Sequence, residues 1–162
     1  MKYFTTELWA GINGASQAER NAANAQWDAN IEAYRARFNT ILPRLPKKVA
    51  QLLQGHSFHD FNLVNIDVVE KIRGYKKNIS LLLLVTNNES VYKISYRDIR
   101  KLSINYEDTF MQRGFDDWGY EEILDVDEQL LSHEILFASG ATIWVHFPDK
   151  NIKIEKMKTE QE

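Results

Sequence analysis

The apolar positions of this chain change their period once, near residue 55. Before that point alanine is frequent and bulky side chains recur at helical spacing. After it, β-branched and aromatic residues dominate and the period falls towards two. Residues 4–11 predict a short helix that ends at Gly11 and Gly14. Ser16 and Glu19 then stand at capping-box spacing, where hydroxyl and carboxylate satisfy the amides left open at a helix start. Trp27, Ile31, Tyr34, Phe38 and Leu42 follow four, three, four and four apart, which places one bulky side chain per turn on a single face. This stripe reads as the face that packs the helix on a sheet, with a ligand groove as the alternative. Pro43 and Pro46 break the pattern, and a second short helix over 46–54 buries Val49, Leu52 and Leu53 before Gly55 stops it.

The strand half begins with Phe61 and Leu63 on one parity and Val64, Ile66 and Val68 on the other, so a bulge is expected near Leu63. "ISLLLLVT", residues 79–86, is apolar at consecutive positions, the mark of a strand covered on both faces. "VYKISYR" and "LSINY" alternate, a polar and aromatic loop spans about 107–117, and "YEEILDV" resumes strand character. "HEILFASGATIWVHF" reads as a hairpin turning at Ser139-Gly140, "IKIEK" as a last edge strand with its lysines outward, and "MKTEQE" as a fraying tail. Short connections favour antiparallel neighbours. The expected fold is α+β, with N-terminal helices on one face of a mainly antiparallel meander of about six to eight strands. Residues 1–55 form the helical segment and 56–157 the sheet region of one compact domain.

Composition narrows the function. The 162 residues contain no cysteine, which removes disulfides, thiolate metal sites and cysteine nucleophiles together. The longest apolar run, "LLLLV", is too short to cross a bilayer, and the N-terminus lacks the basic and apolar regions of a signal peptide. A cytoplasmic protein with no membrane partner is expected. The net charge of −3 gives no basic excess for nucleic acid. No nucleophile elbow and no phosphate-cradling glycine pattern occur, and no cofactor is implied.

Two features remain as candidate chemistry. His56, His59 and Asp60 crowd five positions ahead of the first strand, and with His133 from a later strand they offer a metal-binding alternative, as in a metal-assisted hydrolase. The competing reading gives Ser57 or Asp60 the task of bonding local backbone amides. The second feature is a lopsided charge map. Residues 107–134 carry ten acids and one base, Arg113, whereas residues 71–101 carry eight bases and two acids. Cross-strand pairing could neutralise the two blocks. If it does not, Tyr106, Asp108, Phe110, Phe115, Asp116, Asp117, Trp118, Tyr120 and Glu121 make an acidic and aromatic surface. Rings anchor such an interface and carboxylates steer a cationic protein to it, a basic nuclease being the natural example.

"MKYFT" at residues 1–5, Phe58-His59-Asp60 at the head of the β region, and "HEILFASG" at 133–140 resemble a domain family of unassigned function from Gram-positive bacteria. Its members open in the same way and carry a Leu-His-Asp strand motif and an HxILFSxG hairpin. The resemblance covers mainly residues 57–147, and small α+β proteins of this kind include immunity partners of bacterial toxins. It implies no known chemistry for His59 or Asp60. The expectation is therefore a non-enzymatic protein-binding protein, with a basic toxin as its partner. A general interaction or housekeeping module and the metal-binding hydrolase are the alternatives.

Overall fold

The computed structural model describes residues 1–107 and 114–158. Three helices precede eight strands among these residues, an α+β architecture. Helix α1, Thr6–Ile12, starts where the Thr5 hydroxyl accepts the Leu8 amide. Helix α2, Gln17–Ile41, opens on the expected capping box: Ser16 Oγ accepts from the Glu19 amide, and the Glu19 carboxylate accepts from the Ser16 amide. A 3-10 turn, Leu42–Arg44, absorbs Pro43 and leads to helix α3, Lys47–Gly55.

The strands are β1 Asn62–Arg73, β2 Lys76–Thr86, β3 Val91–Tyr96, β4 Lys101–Asn105, β5 Trp118–Asp125, β6 Leu130–Phe137, β7 Thr142–Pro148 and β8 Ile152–Lys156. All pairings are antiparallel. They form two sheets rather than the single meander expected from sequence, ordered β1-β2-β3-β8 and β4-β7-β6-β5. The chain changes sheet between β3 and β4, where Asp98 takes a left-handed φ of 54° and the Ile99 and Arg100 amides donate to Ile79 and His146 carbonyls. The bulge expected near Leu63 is present as a register shift between Leu63 and Asn65. It turns Ile66 and Val68 onto the parity that faces Leu83 and Leu81.

One core lies between the sheets. Leu81, Leu83 and Val85 of β2 and Ile94 and Tyr96 of β3 share a cluster with Ile123 of β5, Leu131, Ile135 and Phe137 of β6 and Ile143, Val145 and Phe147 of β7. The β2 strand is therefore sealed on one face only; Leu82 and Leu84, on the other, are half-buried. Ile41, Leu45 and Val49 carry the helical segment into the same core. Helix α2 packs along β5, where the buried Trp27 ring meets Tyr120 and the Tyr34 hydroxyl accepts the Ile123 amide at 2.9 Å. The aromatic stripe is thus a packing face. Arg44 forks onto Asp149, and Lys150 Nζ donates to the Pro43 and Leu45 carbonyls, which tie the 3-10 turn to the β7–β8 connection. No described helix is long and apolar enough to cross a membrane.

Candidate functional site

Two segments far apart in sequence meet at the start of β5. The Asp60 amide donates to the Trp118 carbonyl at 3.0 Å, and the Trp118 amide donates to the Phe61 carbonyl at 2.7 Å. Asn62 bridges Asp117. The β6–β7 turn joins from the other side, its Ala138 amide donating to the Asp117 carbonyl and its Ser139 hydroxyl to the Phe115 carbonyl. This stitching brings the backbone of Asp60, Asp116 and Asp117 to one rim, where Asp60 is exposed, Asp116 and Asp117 are half-buried, and one Asp116 carboxylate oxygen is enclosed. Asp60 and Asp116 hold left-handed backbone, with φ of 65° and 62°. Such backbone costs a non-glycine residue energy, and aspartate is among the side chains that tolerate it best.

Aromatic rings border this rim. Tyr106 is exposed and stacks on Phe115 at 5.3 Å between centroids, and Phe115 in turn meets the buried Phe137. Tyr120 is half-buried among Phe4, Trp9 and Trp27, with the His59 ring on its outer side at 5.3 Å. Burial pushes the Tyr120 phenol above its ordinary pKa, and the charge of nearby Asp60 pushes it the same way.

The other expected members of the surface fall elsewhere. Trp118 is only 1% exposed and belongs to the core, so it cannot anchor a partner. A register shift between Trp118 and Tyr120 lets Trp118 turn in while Tyr120 stays half-covered. Glu121 accepts from His133 Nε2 at 2.8 Å, and His133 Nδ1 lies 2.7 Å from the Tyr96 hydroxyl. A carboxylate only accepts, so Nε2–H donates to Glu121, and in the neutral imidazole the Tyr96 hydroxyl donates to Nδ1. Burial and the Glu121 charge hold the Tyr96 phenol well above its usual pKa, which keeps it a donor. Asp108 and Phe110 lie outside the described residues.

Several further acids of the same segment have partners inside the fold. Glu122, fully buried, accepts the amides of Lys2, Tyr3 and Phe4 at 2.6–2.7 Å. Asp125 pairs with Arg37 of α2, which holds its carboxyl below the usual range. Glu134 meets the N-terminal ammonium, and Asp127 accepts two amides of its own turn. The partners come from α2, from the N-terminal segment and from local backbone, and not from the basic block at 71–101. Much of that block lies on the other sheet.

The metal-binding set does not converge. His133 is buried between Tyr96 and Glu121, whereas the His56 ring packs on Phe58, Phe61 and Tyr92. His59 Nδ1 lies 2.9 Å from Asp60 Oδ1 at the surface. Among the described residues no three His, Asp or Glu side chains are placed to hold a metal ion.

The sequence reading missed two features. Asp60, taken only as a possible ligand or turn former, joins Asp116 and Asp117 because β1 begins beside β5. The carboxylate of Glu122 is a structural clamp, and the doublet Glu121-Glu122 gave no sign which acid would be inward. Comparison of the chain with protein families, curated proteins and solved structures gives no match.

Proposed function

We propose that this chain is a non-enzymatic protein-binding protein whose acidic and aromatic rim docks a basic protein, as an immunity protein docks a nuclease-type toxin. The observation that carries the reading is the convergence of Asp60, Asp116 and Asp117 where the head of β1 is stitched to the head of β5. Tyr106 and Phe115 supply stacked rings beside these carboxylates. Aromatic anchors with a charged surround suit an interface in which rings bury area and carboxylates speed encounter. The resemblance to the Gram-positive family points the same way. The acids already paired within the fold, the buried Glu122 and the Arg37-bonded Asp125, take no part in this surface.

The test uses purified basic nuclease toxin domains titrated calorimetrically with the full chain. Sub-micromolar binding that weakens steeply as salt rises is expected. Combined Asp60→Asn, Asp116→Asn and Asp117→Asn should weaken it by at least about tenfold, since each lost contact to a cation removes a charge-assisted bond. Asparagine suits left-handed backbone, so the fold should persist. Glu89→Gln, in the β2–β3 turn, is the control that should change nothing. Binding indifferent to the triple substitution, or absent for every toxin class tried, overturns the reading.

A further inference from the structure

Strand β1 is the outer strand of its sheet, and its edge carries, among the described residues, one bridge at Asn62 and none beyond it. The strand is also longer than its sheet requires. Strand β3 pairs with β2 only from Leu81 to Thr86, so β1 and β2 run on as a two-stranded arm between about residues 68 and 80. This arm carries exposed apolar side chains: Val68, Val69, Ile72 at 68% exposure, Ile79, and a fully exposed Tyr75 at its turn. A hairpin of two strands is marginal on its own in water, and a long apolar edge is an invitation to another strand.

We propose that two copies of this chain pair β1 against β1 across a two-fold axis at Val69. The inference rests on residues 65–73 of β1 and not on the toxin-binding reading. The pleat requires a two-fold antiparallel pairing to match residues whose numbers sum to an even value, so that each face stays on its own side. Placing Val69 opposite Val69 sets Lys71 opposite the partner's Asp67, and Asp67 opposite the partner's Lys71, on the outer face. On the inner face it sets Ile72 against the partner's Ile66. A slip of one pair towards the arm's turn brings Glu70 against Glu70, and a slip the other way sets Lys71 against Asn65 and removes its acid; Glu70 faces an apolar residue, Val68, in the chosen register as it faces Ile66 in this one. The charges that normally guard an edge are here complementary to themselves in one register. The pairing would add about eight to ten main-chain hydrogen bonds. It would also join the sheets into one run of eight strands and turn each lone arm into part of a four-stranded unit. The interface is isologous and closes on itself, so it does not propagate into fibres.

The test measures the mass of the full chain by light scattering after size exclusion, across a concentration series. A species of twice 18.9 kDa is expected for the native chain. Lys71→Glu should set like charges opposite each other twice and weaken the dimer by at least about tenfold. The reciprocal exchange, Asp67→Lys with Lys71→Glu, should restore it, which a merely destabilising change would not do. Because the chain has no cysteine, Val69→Cys should oxidise to a disulfide-linked dimer under mild conditions. Circular dichroism shows that each variant is folded. A native chain that stays monomeric, or a dimer insensitive to Lys71→Glu, overturns the proposal.

Discussion

Gly119 shows how much a single position is fixed by its neighbour. A β-carbon there would lie 2.5 and 2.7 Å from ring carbons of Trp9 and 3.0 Å from the Leu136 carbonyl oxygen. No side chain fits unless the indole swings away, and that motion opens its edge contact with Tyr120. Gly119→Ala should therefore cost about 1–3 kcal/mol, read from the urea midpoint at unchanged slope. Gly55→Ala, which meets nothing within 4 Å, gives the baseline. Trp118, next to it, illustrates the limit of sequence reading at this scale. "WGYEEI" offers no clean alternation, because the register shift after Trp118 breaks the period that would have marked the ring as inward.

At the scale of elements, one buried carboxylate of β5 gathers the backbone amides of the N-terminal segment. Glu122 accepts three consecutive backbone amides, and no other described side chain bonds the Tyr3 or Phe4 amides. Glu122→Gln keeps the volume but removes the charge and turns a donor towards donors. It should cost about 2–4 kcal/mol and speed hydrogen exchange at the Phe4 amide more than at the Ile94 amide in the core. Unchanged exchange at Phe4 would show that the clamp contributes little. The elements themselves were largely readable. The capping box, the Trp27 to Phe38 stripe, the bulge after Leu63 and the β6–β7 hairpin all depend on residues close in sequence. Which strands share a sheet depends on pairings such as β3 with β8, and nothing local in "VYKISY" or "IKIEK" encodes that choice. The rim was half-readable for the same reason: Asp116-Asp117 stood out by charge, whereas Asp60 reaches them only through the β1–β5 bridge.

For the whole molecule, stability is expected to fall with acid in two stages. Burial lowers the His146 pKa from 6.5, helped by Lys101 and opposed by Glu134 and Asp127. A depressed histidine stabilises the fold above that ordinary value, and the contribution disappears as pH falls through the folded value. Asp125 is depressed from 3.8 chiefly by its hydrogen bonds to Arg37, so its share disappears only below that value. The expected curve of urea midpoint against pH declines first below about 6.5, then again below about 4.5, where the depressed Glu7 and Glu155 carboxylates precede Asp125, and His146→Gln should flatten the first step alone. A curve flat from neutrality to pH 4 would refute the assignment. The architecture also sets an order of events during synthesis. Strand β8 completes the first sheet by pairing with β3, and β7 must insert between β4 and β6 to complete the second. A nascent chain must therefore emerge beyond residue 156 before β3 loses its open flank. Until then β3 exposes an unpaired ladder, and long-range closure of this type is slow.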